Sequence, residues 1–109
     1  MRILKVNLAG EEIELSPTYG NIEKVERTKG LFSFCNDLQS GVAKVTDVVN
    51  IYYYMQNNTA YSQGQIADKI MSDGLNKHLL QVVSVLSSIL NGNGQEVSEE
   101  EIEKKPVGE

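Results

Sequence analysis

Ser16-Pro17-Thr18 divides this chain into two periodicities. Before it, Leu4, Val6 and Leu8 alternate with Ile3, Lys5 and Asn7. After Ala9-Gly10-Glu11-Glu12, Ile13 and Leu15 resume the period of two. Two short alternating runs around a glycine-containing connection predict a β-hairpin. A lone hairpin is marginal in water, so its apolar face must lie on the helices C-terminal to it or its edge must pair with another chain. Packing on those helices is the expectation. Ser16 suits an N-cap, and Pro17 suits the first helical position, where a missing N–H costs nothing.

From Ser16 onward the apolar spacing is helical. Tyr19, Ile22 and Val25 lead to Gly30, expected as the C′ residue after Lys29. Leu31, Phe34, Cys35 and Leu38 form one stripe over residues 31–40, closed by Gly41. Thr46 is the expected cap of a third helix, with Asp47 set against its positive end. Val48, Val49, Tyr52 and Met55 point inward there, and Asn57-Asn58 stop it. Ser62-Gln63-Gly64-Gln65 has capping-box spacing and opens a short helix with Ile66, Ala67, Ile70 and Met71, ended by Gly74. Residues 76–91 are apolar round most of the circumference. Such a helix belongs at the centre of a core or in an interface.

The chain has 109 residues and a formal charge of −5. Residues 93–109 hold six acids against Lys104 and Lys105, a net of −4, which leaves −1 for residues 1–92. The expectation is one domain over residues 1–92 and a disordered acidic tail over 93–109, too poor in apolar surface to offset ordering entropy. A nearly neutral body argues against duplex nucleic acid and against an anionic membrane surface. Cys35 is the single cysteine, so no intrachain disulfide forms and a reducing cytoplasm is expected. Lys5 and Asn7 interrupt any signal-peptide core, and no apolar run approaches the ~20 residues of a membrane span.

No constellation for covalent chemistry stands out. His78 is the only histidine, without partners at zinc-ligand spacing, so it is read as a polar residue of the last helix. Whether it meets a nucleophile and a carboxylate cannot be read from spacing. Cys35 lies on an apolar stripe and is read as a small hydrophobe. Gly10, Gly20 and Gly30 are too far apart to cradle a phosphate, and Glu99-Glu100-Glu101 lacks the form of a calcium loop. No catalytic, cofactor or metal residue is therefore assigned. Tyr52-Tyr53-Tyr54 point about 100° apart on a helix, so they cannot all face one core. Either some of them are exposed for protein contact, or all three lie partly buried between helices. Gln63 to Met71, the glycine turn and the helix over 76–91 imitate a helix-turn-helix, but beyond Asn76-Lys77-His78 the second helix is too apolar to read base edges.

The hairpin followed by Leu15-Ser16-Pro17-Thr18 and Ile22-Glu23-Lys24-Val25-Glu26, running to Gly30-Leu31, forms one part of a longer pattern. Thr46-Asp47-Val48-Val49-Asn50-Ile51-Tyr52, Ile66-Ala67-Asp68-Lys69-Ile70 and Asp73-Gly74-Leu75 form the rest. Over residues 3–91 this resembles the gene-transfer-agent and phage tail family often labelled tail tube proteins but grouped with tail assembly chaperones. Gly20-Asn21 and Tyr61-Ser62-Gln63-Gly64 depart from that pattern. The resemblance implies a non-enzymatic role: holding a phage tape-measure protein soluble in the bacterial cytoplasm until tail tube subunits assemble around it. It implies no catalytic residues, with the tape-measure and tail tube proteins as partners; taken with the charge reading above, no cofactor, small-molecule substrate, nucleic acid or membrane is expected.

The sequence reading is thus an α+β, mostly α domain, an N-terminal β-hairpin packed on about five short helices, self-associating. Exposure and side-chain chemistry nominate Phe32, Tyr52, Tyr53, Tyr54 and Tyr61 for partner contact. The rival readings are a structural tail tube or adaptor subunit, for which one hairpin offers few strands, and a helix-turn-helix DNA-binding regulator.

Overall fold

The hairpin forms in the register that the alternation requires. The computed structural model describes residues 3–57 and 61–91. Strand β1 (Leu4–Leu8) pairs antiparallel with β2 (Glu11–Leu15), placing Val6 opposite Ile13 and Leu4 opposite Leu15. Val6, Leu8, Ile13 and Leu15 are buried, so the hairpin's apolar face lies on the helices. The turn is two residues, Ala9-Gly10, both at positive φ (53° and 85°). That is the combination whose twist suits a two-residue hairpin, and glycine fits it without steric penalty. Alanine does not: its Cβ crowds the following carbonyl in this region. Ala9→Asn is therefore expected to stabilise the domain by about 0.5–1 kcal/mol, because asparagine tolerates that conformation. Urea unfolding of the two proteins measures the difference.

Five helices follow among the described residues: α1 (Tyr19–Thr28), α2 (Leu31–Ser40), α3 (Val45–Met55), α4 (Gln63–Asp73) and α5 (Leu75–Asn91). The architecture is a hairpin on a mostly helical body, as the period change at Ser16 predicts. The expected tail over residues 93–109 lies outside the described residues, as does Asn58.

Two helix starts and one junction differ in detail from the sequence reading. Thr18, not Ser16, caps α1; its Oγ1 accepts from the Asn21 N–H at 3.2 Å. Ser16 is buried and holds the hairpin instead. Its N–H donates to the Met55 carbonyl (2.7 Å) and its hydroxyl to Asn57 Oδ1 (2.6 Å). The cap and the strand exit are thus separate jobs two residues apart. Tyr19 consequently stands at the first helical position and is 81 % exposed, outside the core its spacing suggested. Thr46 lies inside α3, which begins after Lys44 without a side-chain cap. Gly30 follows the Lys29 cap as expected, but with φ −62° it is an ordinary extended residue and the N-cap of α2, so the two helices abut. The capping box of α4 is present in both directions, Gln65 N–H to Ser62 Oγ (3.2 Å) and Ser62 N–H to Gln65 Oε1 (2.8 Å).

The central helix is α3. Val48, Val49, Asn50, Ile51, Tyr52 and Met55 are all buried, and the polar Asn50 is satisfied by Gln63 Nε2 at 2.9 Å. At its end α3 pairs onto the hairpin: Asn57 N–H donates to the Glu14 carbonyl (2.8 Å), and Leu15 bridges Gln56. This covers the outer edge of β2, which would otherwise present unpaired backbone. Lys29, where α1 ends, forms ion pairs with Asp37 of α2 and with Asp47 of α3, the latter at 3.3 Å. Asp37 first, then Asp47, holds the Lys29 ammonium above its usual pKa range.

Candidate functional site

Two features stand out above the packed core: a buried polar network where the hairpin meets the helices, and an apolar groove between α2 and α5. The network begins at His78, whose side chain is wholly buried one turn into α5. Its Nε2 lies 2.6 Å from Asp73 Oδ2 at the end of α4, and its Nδ1 lies 2.8 Å from the hydroxyl of Tyr52 on α3. With Nε2–H donating to the carboxylate, Nδ1 accepts the tyrosine proton, and each polar group has a partner. The rings of Tyr52 and His78 meet edge to face, with centroids 5.5 Å apart.

The network continues into the hairpin. Asp73 Oδ2 also accepts the Ala9 N–H at 2.8 Å. Gln81 accepts the Asn7 N–H (2.7 Å) and returns a bond to the Asn7 carbonyl (2.9 Å). One side-chain amide therefore does for the outer edge of β1 what a neighbouring strand would do. Lys77 reaches Asn7 Oδ1 (2.9 Å) and Asp73 (3.6 Å). A histidine between a carboxylate and a hydroxyl has the composition of a proton relay. Here its ring nitrogens are engaged by groups that join three helices, and Tyr52 and His78 have no exposed surface. The arrangement works as a clasp between hairpin, α3, α4 and α5.

The electrostatics fit that role. The Ala9 N–H first, then His78, with Lys77 adding, holds the Asp73 carboxyl below its usual range. Burial, with the Asp73 charge behind it, pushes the Tyr52 phenol far above its usual range. At the hairpin tip Glu11 accepts from the Tyr61 hydroxyl and pairs with Lys69 at 3.5 Å, which lowers its pKa in that order. For a carboxyl with a depressed folded pKa, the stabilisation is fully present above the unfolded value near 4. It is lost as pH falls through the folded value. Asp73→Asn is therefore expected to flatten the loss of stability on acidification below about pH 4. Urea midpoints between about pH 2 and 6 for wild type and D73N, with Glu11→Gln alongside, measure the share of each carboxyl.

The nominated contact residues fall in different places. Phe32 stands out from the second position of α2 and is 72 % exposed. Tyr52 is fully buried in the clasp, so as a partner contact it is corrected: the innermost of three consecutive tyrosines is a core residue. Tyr53 and Tyr54 are half-buried and stack edge to face on each other at 5.0 Å. Tyr61 is half-buried under Lys69, hydrogen-bonded to Glu11 and tied through its backbone to Gln56. Its polar and ring contacts are intramolecular.

The apolar surface that sequence reasoning did not single out lies on α5. Leu80 (74 %) and Val83 (48 %) are exposed, as is Leu90. Beside them Cys35, Leu38 and Gln39 of α2 and Val83, Leu86, Ser87 and Leu90 of α5 line a shallow groove. The breadth of the apolar arc over residues 76–91 was its visible signal. Its assignment to core or interface needed the position of α3. Met71 and Val42 are further exposed apolar side chains.

No helix among the described residues is long and apolar enough to cross a membrane. Compared with known proteins, the chain matches no family model, no curated protein and no solved structure.

Proposed function

We propose that this chain is a tail assembly chaperone of a phage or phage-like particle, non-enzymatic and acting in the bacterial cytoplasm. It binds the tape-measure protein and keeps it soluble while the tail tube assembles. The observation that supports this reading is the exposed apolar flank of α5 beside the shallow groove it forms with α2. A surface of this kind receives the apolar face of a helix, with anchors recurring every three to four residues. Among the described residues, the histidine and tyrosine of the cluster with relay composition have no exposed surface, and its polar groups are occupied by structural hydrogen bonds. The motif order over residues 3–91 supplies the tail-assembly context.

The test is co-expression with the tape-measure protein encoded beside it. The expected result is a co-purifying complex and a several-fold rise in the soluble fraction of the tape-measure protein. No association, with that protein's solubility unchanged, overturns the proposal. Regular tubes formed by the chain alone would favour the tail tube subunit reading in its place.

A further inference from the structure

A two-stranded sheet has two outer edges, and the register shows where each is covered. In a hairpin with a two-residue turn the closing pair, Leu8 and Glu11, exchanges both hydrogen bonds, and so do Val6 with Ile13 and Leu4 with Leu15. Asn7 and Lys5 therefore turn their N–H and C=O outward. On β2 the outward Glu14 carbonyl is met by the Asn57 N–H. On β1 both backbone groups of Asn7 are met by the Gln81 amide. Lys5 differs. Among the described residues nothing pairs with its N–H or C=O, and the edge there faces a slot of about 210 Å³ lined by Lys5, Val6, Gln81, Ser84, Val85 and Ser88.

We propose that this slot receives an extended segment of another protein, which adds to β1 as a third strand and sets a carboxylate side chain opposite Lys5. Gln81 already holds an amide at the strand position beside Asn7, giving one donor and one acceptor to one residue as a neighbouring strand would. At about 100° per residue, Ser84 and Ser88 stand within about 60° and 20° of Gln81 on the α5 circumference, one and two turns further on. Their side chains are too short to repeat the bridge. They leave room between β1 and α5 for a backbone at the usual strand spacing of about 4.8 Å. The paired donor and acceptor of Lys5 are what such a backbone satisfies, and strand addition is a recurring mode of peptide recognition.

Charge selects the occupant. Lys5 is the only charged residue lining the slot. A residue directly opposite it on an added strand places its side chain on the same face, where a carboxylate is favoured and a cation opposed. Twofold pairing of two β1 edges about Lys5 would set Lys5 against Lys5, which disfavours a second copy. Among the described residues Lys5 makes one ion pair, to Glu12 at 4.0 Å, with both side chains more than half exposed. Such a contact holds little free energy and yields readily to a better placed carboxylate. The neighbours of that carboxylate on the added strand turn towards Val6 and Val85, where β-branched or small side chains fit. The slot opens on a different side of α5 from the groove of Val83 and Leu90. The inference goes beyond the proposed function and does not depend on it.

The probe is the peptide acetyl-Thr-Val-Glu-Val-Thr-amide, titrated to about 5 mM into the ¹⁵N-labelled full chain. The expected result is saturable binding with a Kd of about 1 mM or tighter, the range open to a few main-chain bonds. The largest amide shifts fall at Lys5, Ser84 and Ser88, and hydrogen exchange of the Lys5 amide slows about fivefold near saturation. N-methylation of the glutamate nitrogen, or lysine in place of the glutamate, weakens the probe at least about fivefold. Ser84→Tyr fills the slot from an exposed position and abolishes binding, whereas Ser87→Tyr, on the groove side, leaves it unchanged. Circular dichroism checks that both variants fold. No binding at about 5 mM overturns the proposal, as does binding that S84Y leaves intact or that S87Y weakens equally. Indifference to N-methylation or to the lysine exchange overturns it too. So does a Lys5 amide already protected in the free chain, which would mean that this chain or a second copy fills the slot. Loss of tape-measure binding with peptide binding intact would count against the proposed function alone.

Discussion

Replacing His78 with alanine is expected to remove about 3–5 kcal/mol of folding stability, the largest effect of any single substitution in the clasp. Three losses add in one place. The ring leaves a void in a site with no exposed surface, and close-packed surroundings fill such voids only partly. The Tyr52 hydroxyl loses its acceptor at 2.8 Å in a buried position and keeps only the long contact from Gln81 Nε2 at 3.5 Å, and a buried donor left without an acceptor is penalised for its desolvation. Asp73 loses its contact at 2.6 Å and is left to the Ala9 N–H and Lys77. For a domain this small, total stability is about 5–10 kcal/mol, so H78A should be partly unfolded at 37 °C. Urea unfolding followed by circular dichroism measures it. A second variant makes the cause visible. His78→Leu alone still leaves the Tyr52 hydroxyl without an acceptor, whereas His78→Leu with Tyr52→Phe removes both polar partners and should recover about 1–2 kcal/mol of the loss. No recovery would mean that packing alone explains the effect.

The elements were legible in the sequence because each carries a local signal. Gly10 between alternating runs fixes the hairpin, and Ser62 with Gln65 fixes the start of α4; both need only neighbours along the chain. Ser16 misled because two residues two apart can both cap, and only the position of Met55 and Asn57 shows that Ser16 is already engaged by α3. The same limit hid the clasp. His78, Tyr52, Asn7 and Gln81 are separated by up to 74 residues, and no periodicity links them. His78 lies on the same helical face as Val82 and Val85, so burial of its position was readable; the two partners that make burial tolerable were not. The breadth of α5 suggested a helix at the centre of the core or in an interface, without deciding between them. In the structure α3 takes the centre, buried by neighbours on every side, and α5 keeps one flank for solvent or a partner. Tyr19 shows the converse: its spacing matches Ile22 and Val25, but at the mouth of α1 no side chain among the described residues covers it.

Phe34→Ala is expected to cost about 3–5 kcal/mol and, unlike H78A, to act first on one helix. Of the ten residues of α2, only Leu31 and Phe34 are buried. Phe34 is 1 % exposed and packs in the core that Val25 and Ile51 share, so the ring is the main anchor of that helix. The remaining attachments are weaker: the Lys29–Asp37 pair, partly in solvent, and half-buried Cys35 and Leu38 along α5. Partly exposed ion pairs contribute about 0–1 kcal/mol each and cannot hold a helix of ten residues alone. Truncating the ring should therefore lower the free energy of opening α2 by more than that of opening α3, whose burial extends around its circumference. Amide hydrogen exchange distinguishes the cases. Local detachment predicts that amides of residues 31–40 lose most of their protection while those of 48–55 retain a larger share. Equal loss in both helices would show that α2 is part of a single cooperative core. The outcome bears on the groove directly, since α2 forms one of its walls: a helix anchored mainly by one aromatic ring can shift to admit a partner without disturbing the clasp on the far side of α5.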